Sequence, residues 1–428
     1  MADKNVGNDN GGVDGQGSNE SNGGIPPAEL SSESATLLKA QVLQDAAQLV
    51  LKGGMIPLSE PRVLTKEEVD ALYNELRVVR DARTKELLGG NTKGMSAAHR
   101  VMKILHRASY QYTLAGFTNP DLWSVMAAPV MKAVSEGRKI GMAIPFGGGK
   151  VAVSLKTGGY IMPDLSEMVA HAMLDAIVMA IGEVYKPGAG LVVMPDLGLH
   201  TPDLGSSSPV YVEHMKKLVS MTNEVFASQN RVVYMDPLAS LPSVWNETVG
   251  KGVKAARQKL TMQPTEGMLD LARSMVLSVN TLSEGRTFEE EVLMYASIAN
   301  PGLEGLNQGI VEEGLALVKR AFNAAPQYIA TSDAIRTTGI LEKMVQAQFP
   351  GAEYFRLTVH PKPLEPRPFL LSAGKLAPKP GVLPMHSVGV RGAGDGKVRY
   401  GVAWALEARM KGWKAVHGPE GFMYFGVA

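Results

Sequence analysis

The sequence predicts an α/β protein built on a mostly parallel sheet flanked by helices, with an N-terminal helical section packed on it. Three observations carry that expectation. Residues 139–204 read as strand, polar loop, long apolar helix, turn and strand, which is one right-handed crossover unit. Four apolar runs end in a polar, chemistry-bearing residue: 191–194 at Asp196, 232–234 at Asp236, 328–330 at Asp333 and 353–359 at His360. The chain of 428 residues is 45% hydrophobic and 20% charged, enough to bury a large core without disulfides or a structural metal. In a parallel sheet the carboxyl ends of the strands share one edge, where Rossmann-like proteins place their clefts. Each aspartate alone reads most simply as a helix cap or turn former. Four such strand ends together favour a cleft.

Composition narrows the function classes. The formal net charge of +1 supplies no global field for nucleic acid or an acidic membrane surface. There is no cysteine, which excludes disulfides, thiolate metal sites and cysteine nucleophiles and fits a cytoplasmic enzyme. No apolar run reads as long enough to span a bilayer, and the first residues lack the basic and apolar regions of a signal peptide.

In chain order, residues 1–33 are rich in Gly, Asn, Ser and Asp and read as a disordered tail. Residues 34–134 form the helical section. One helix is stopped by Gly53 and Gly54; a second opens at Thr65 with Glu68 as its capping-box partner and turns Val69, Leu72, Tyr73 and Leu76 inward. A third covers about 96–114, burying Val101, Ile104 and Leu105, with His99, His106 and Arg107 on or near it. Residues 135–428 form the α/β catalytic region, and 34–428 is read as one structural unit. Within it Asp164 caps a helix over 165–185, with Glu167 at the capping-box position. That helix is apolar nearly all round, so it is expected to be covered on several sides, with His171 buried and hydrogen-bonded. Further helices are expected over 211–226, 264–279, 288–298, 311–321 and 334–348, and strands over 231–234, 327–331 and 353–359. Residues 397–404 read as a strand or the start of a helix.

Two familiar site patterns fail on residue identity. Gly147, Gly148, Gly149 and Lys150 offer the backbone N–H groups and cation that a phosphate needs. They do not form a Walker A loop: its first glycine would fall at Ile144, and Val151 stands where Ser or Thr must bind magnesium. No G-x-G-x-x-G fingerprint follows the strand either. A phosphate site of another kind and a simple glycine-rich turn both remain open. His200, His360 and His386 lack the close spacing of a metal-ligand motif, and no G-x-S-x-G nucleophile elbow is present.

Taken in order, these pieces resemble the isonitrile (isocyanide) synthase family, also described as the pyoverdine/dityrosine biosynthesis family. The resemblance rests on the run into Phe146 and Lys150, then Lys156, Gly158 or Gly159, and Pro163-Asp164-x-x-Glu167. It continues through Tyr185-x-Pro187-Gly188, Asp196 with Asp203, the segment Arg356-Leu357-Thr358-Val359-His360, and Pro384-Met385-His386. It spans about residues 141–389. The family continues its first lysine as Ser-Pro-Asn, where this chain has Val151-Ala152-Val153. It also has one residue fewer between that lysine and the aspartate, and an Asp-Gly pair where Asp196-Leu197-Gly198 stands here.

The resemblance implies an enzyme that joins the amine of an amino acid, Tyr or Trp, to the C2 ketone of ribulose 5-phosphate. Carbon–carbon cleavage then leaves one sugar carbon on nitrogen as the isonitrile. Such chemistry needs cations for a phosphate and a carboxylate, and acid/base groups to move protons through an imine. By the same resemblance Lys150, Lys156, Arg356 and Asp164 fall to substrate and phosphate binding, and Asp196, His360 and His386 to catalysis. It implies no metal and no redox cofactor, and an iron/2-oxoglutarate oxygenase as a pathway partner. A relative acting on another amine or sugar phosphate, and an inactive binding partner, are the alternatives.

Overall fold

The computed structural model describes residues 40–109, 122–146, 150–195, 208–263, 265–359, 365–371, 383–394 and 397–427. The expected tail, the three glycines before Lys150, and Asp196, His200, Asp203 and His360 lie outside the described residues.

A parallel sheet contains β2 (Ile140–Pro145), β3 (Ala189–Met194), β4 (Val232–Tyr234) and β5 (Glu353–Arg356), in the spatial order β4-β3-β2-β5. Its register runs from Ile140 opposite Ala189 to Pro145 opposite Met194, and from Ile140 opposite Glu353 to Ala143 opposite Arg356. Every residue of β2 and β3 is buried, as expected for strands covered on both faces. A second, mixed sheet contains β1 (Arg62–Val63), β6 (Val388–Gly394), β7 (Lys397–Ala403), β8 (Lys414–Gly418) and β9 (Gly421–Val427), in the order β1-β8-β9-β6-β7.

Side-chain alternation sends the two faces of the parallel sheet to different layers. Ile140, Met142, Ile144, Leu191, Val193 and Phe355 pack with α3 (Ala97–Ala108), α4 (Leu122–Glu136) and α5 (Leu165–Val184). Ala143, Val192 and Met194 face the other way, onto α10 (Gln308–Thr337) and α11 (Ile340–Gln348). The second sheet reaches the first through α5. Leu165, Met168, Val169, Ala172 and Met173 pack with Leu72 and Leu76 of α2 (Lys66–Leu88) and with Tyr400, Val416 and Tyr424. A helical layer of α1 (Gln41–Leu51), α8 (Glu266–Met275), α9 (Phe288–Ala299) and part of α10 shares a core with Val153, Leu155 and Trp404. Further helices include α6 (Ser208–Phe226), α7 (Lys251–Met262) and α12 (Ala405–Met410).

The α/β architecture, the parallel pairing of β2 with β3 and the capping boxes at Thr65 and Asp164 match the sequence reading. Residues 397–403 resolve as a strand.

Three expectations are corrected. Residues 327–331 are not a strand; they lie inside α10, which continues through Pro326. The β-formers Tyr328, Ile329 and Thr331 suggested extension, but buried Leu317, Ala321, Ala324, Thr331, Ala334 and Ile335 keep a helical spacing, and packing decides. Asp333 is therefore no strand end, and pairs with Arg336 on the helix surface at 2.9 Å. The helix expected over 334–348 is divided at Gly339, whose φ of 68° ends one helix and starts the next. Finally, α5 is long and apolar enough to cross a bilayer, with a window of mean hydropathy 1.5, but 89% of that window is buried inside the protein.

Candidate active site

The site grows from the carboxyl end of β2. The Phe146 N–H donates to the Met194 carbonyl at 2.9 Å, which keeps the two strand ends level. The chain next re-enters the described structure at Lys150, and the Val151 N–H donates to the Met385 carbonyl at 3.1 Å. A one-turn helix, Ser154–Thr157, ends at Gly158 in the left-handed region (φ 64°). Asp164 then opens α5, its Oδ1 accepting from the Ser166 N–H at 2.8 Å.

Lys150 is the centre of this arrangement. Its ammonium donates to the Pro384 and Ser387 carbonyls, both at 2.8 Å, and to Ser166 Oγ at 3.2 Å. Asp164 Oδ2 lies 3.3 Å away and Glu167 Oε2 3.6 Å away, and all three charged side chains are removed from solvent. Asp164 Oδ2 also accepts from the Gly389 N–H at 3.0 Å. A side chain at 389 would not fit, because its Cβ would stand 2.8 Å from the Ser166 nitrogen. Three family segments far apart in sequence, around Lys150, around Asp164 and around Pro384, are thus joined by one ammonium.

A fourth member completes the cluster. His214 of α6 places Nε2 2.9 Å from Glu167 Oε1 and Nδ1 2.8 Å from the Ile161 carbonyl. Both ring nitrogens thus face oxygens, so the ring is fixed between Glu167 and the loop before Asp164. Lys150 is thus shared by two carboxylates in a buried place, where an unpartnered charge would be costly. Burial pushes the Asp164 carboxyl up, against the opposing pull of Lys150. Burial acts on Glu167 in the same sense, but Lys150 and His214 together hold it below the usual carboxylate range.

The loop after Lys150 is anchored from the helical layer. Glu291 of α9 accepts from the Ser154 N–H and from Thr281 Oγ1, both at 2.9 Å. The Thr281 N–H in turn donates to the Ala152 carbonyl at 2.9 Å. Burial pushes the Glu291 carboxyl up. Val153 and Leu155 are fully buried against Leu277, Met294 and Tyr295. Of the residues that stand in place of Ser-Pro-Asn, the Val153 side chain and the Ala152 carbonyl therefore key this loop into the helical layer.

The other candidates fall as follows. Lys156 is buried, with Nζ 5.3 Å from the Trp404 ring centre, close enough for a cation–π contact. Arg356 stands at the end of β5 beside Ala143 and pairs with Glu365 at 3.2 Å. His386 is half-buried in the short turn Pro384–His386, between Pro384 and Ser387, the two residues whose carbonyls hold Lys150. Asp196 and His360 lie outside the described residues. Among the described residues, no group of three His, Asp or Glu side chains could hold a metal ion. A shallow cavity lined by Lys139, Gln229, Asn230 and Gln348 lies at the amino ends of the strands, away from these groups.

His214, Glu291 and Thr281 were not singled out in the sequence. His214 sits in an ordinary helical pattern and Glu291 in a run of three glutamates, so neither has a local signal.

The fold is shared with a solved protein, the PvcA protein from Pseudomonas aeruginosa, whose crystal structure superposes with a TM-score of 0.57 at 18% identity, covering 78% of this chain and 100% of that one. No curated protein matches the sequence. Residues 130–401, which hold the parallel sheet, the Lys150 cluster and the turn at His386, match the family described as pyoverdine/dityrosine biosynthesis protein. The chain belongs to that family, which covers isonitrile synthase-like enzymes of secondary metabolism.

Proposed function

We propose that the protein is an isonitrile synthase that converts the amino group of an aromatic amino acid, Tyr or Trp, using ribulose 5-phosphate as carbon donor. The observation that carries this reading is the joining of the family's separated segments around Lys150. The Val151 N–H bond to the Met385 carbonyl brings the turn that carries His386 against the loop that leads to Lys156. In this reading the amine condenses with the C2 ketone to an imine with loss of water. The C1–C2 and C2–C3 bonds then both break, so that C1 and the phosphate-bearing C3–C5 fragment leave and C2 stays on nitrogen as the isonitrile carbon. Lys156 and Arg356 receive the anionic groups of the substrates. Asp196, His360 and His386 move the protons. Lys150, withdrawn from solvent and engaged by five partners, holds the loop rather than the substrate. The enzyme works in the cytoplasm, and an iron/2-oxoglutarate oxygenase takes up its product.

The test is direct. Purified protein is incubated with ribulose 5-phosphate and each of Tyr, Trp and a panel of other amino acids, and products are read by mass spectrometry and by the isonitrile stretch in the infrared. An isonitrile from Tyr or Trp supports the reading, and none across the panel overturns it. The apolar Val151-Ala152-Val153 favours one second reading, a relative with the same sugar-phosphate site and a different amine. That relative would give an adduct only when the panel is extended to other amines.

A further inference from the structure

Arg356 and Glu365 differ from two other partly buried arginine–carboxylate pairs among the described residues. Arg231 grips both oxygens of Asp175, at 2.9 and 3.0 Å, and Arg391 grips both oxygens of Glu75, at 3.2 and 2.8 Å. Those are aligned two-pronged forks, the arrangement a guanidinium favours with a partner it keeps. Arg356 Nε also lies within 3.2 Å of Glu365 Oε2, and both side chains are only 14% exposed. Yet among the described residues Arg356 Nε, Arg356 Nη1 and Glu365 Oε2 are all buried without a hydrogen bond. The charges are matched, and the donors are left without acceptors. Leaving buried donors unpaired is unfavourable, and an added acceptor relieves it.

The place of the pair is equally specific. Arg356 is the last residue of β5 and stands opposite Ala143, two residues before the carboxyl end of β2. Strand alternation turns Tyr354 and Arg356 to the face opposite Phe355 and Leu357, which pack towards α5. Arg356 therefore approaches the candidate cleft from the other side of the sheet edge to the Lys150 cluster.

We propose that Arg356 and Glu365 form an exchange pair, in which a substrate oxyanion with two free oxygens displaces Glu365 and takes both prongs of the Arg356 guanidinium. This rests on the functional reading above and deepens it by naming the anion subsite and its built-in competitor. Glu365 balances the guanidinium while the site is empty, and it opposes any second anion that arrives while it stays. The shared ligand chemistry is a carboxylate or a phosphate, so the amino acid and the sugar phosphate are both candidate sources.

The experiment measures binding, not turnover, on the full chain by titration calorimetry. Inorganic phosphate and L-tyrosine are the separate probes, and thermal unfolding serves as a folding check. Removing the competing charge in Glu365→Gln is expected to tighten one probe by about fivefold, the worth of one partly exposed ion pair. Arg356→Lys keeps the charge but loses the fork, and is expected to weaken the same probe by about tenfold. A gain for phosphate alone assigns the pair to the phosphate group, and a gain for tyrosine alone assigns it to the carboxylate. Unchanged or weaker binding of both probes by Glu365→Gln overturns the exchange, whatever Arg356→Lys does. A gain without isonitrile formation upholds the exchange pair and overturns only the reaction assigned to the site.

Discussion

Lys150 and Asp164 face each other across 3.3 Å with both side chains fully withdrawn from solvent. The pair links the loop after β2 to the first turn of α5, and Glu167 and His214 extend it into a buried polar cluster. Replacing Lys150 by Met leaves Asp164 and Glu167 buried without their shared cation, a change expected to cost about 3–5 kcal/mol. Urea unfolding measures this. Adding Asp164→Asn to the Met variant is expected to recover part of the loss, since it removes one orphaned charge. A loss below about 1 kcal/mol in the single variant would contradict the assigned role.

Glu291 holds the same loop from the helical layer. In Glu291→Ala the Ser154 N–H and the Thr281 hydroxyl lose their acceptor in a buried place, with an expected loss of about 2–4 kcal/mol. Glu291→Gln keeps one acceptor oxygen and is expected to lose less. Hydrogen exchange reads the effect locally: the Ser154 amide is expected to exchange faster in the Ala variant, while amides of β2 stay protected.

Gly389 makes a backbone approach that no other residue can make. A Cβ there would stand 2.8 Å from the Ser166 nitrogen and 3.0 Å from Leu165 Cβ, at the capped end of α5. Gly389→Ala is expected to destabilise by about 1–3 kcal/mol, read as a lower thermal midpoint, because the capping turn has to shift.

Acid stability is expected to depend on His171. Its Nδ1 lies 3.0 Å from the Tyr234 hydroxyl and its Nε2 2.6 Å from Ser228 Oγ. Burial, helped by the positive charges of Arg231 and Arg80, lowers its pKa from 6.5 to about 3. Between those values the unfolded chain binds a proton that the folded chain refuses. The stability from neutral His171 is therefore fully present above pH 6.5 and is lost as pH falls towards 3, by roughly 3–5 kcal/mol in all. Unfolding free energy measured from pH 7 to pH 4 is expected to fall less steeply in His171→Gln than in the parent.

How far the sequence reveals this protein depends on the range of the interaction concerned. The crossover unit, the Asp164 cap and the buried His171 follow from spacing along one segment, and each is found where the pattern places it. The family motifs likewise mark Lys150 and Asp164 as a group. What spacing cannot show is that Lys150 is held by carbonyls more than two hundred residues away, or that Glu291 reaches the loop from a separate layer. The strand expected at 327–331 fails for the opposite reason. Its local residues favour extension, and only the packing of α10 as a whole makes them helical. The second sheet is hard to read in the sequence because β8 is short and carries Lys414 and Gly418, while the apolar run of β9 is only four residues, between Gly421 and Gly426.

That second sheet has a consequence for how the chain is made. β9, residues 421–427, lies between β8 and β6, so the centre of the sheet is the last of its strands to leave the ribosome. Until it arrives, β6 and β8 each present an unpaired backbone edge, the kind of surface on which nascent chains pair with one another. A message truncated before Gly421 would therefore remove more than one strand's worth of contacts. It would yield a chain with two open edges, a natural client for chaperones and a seed for aggregation.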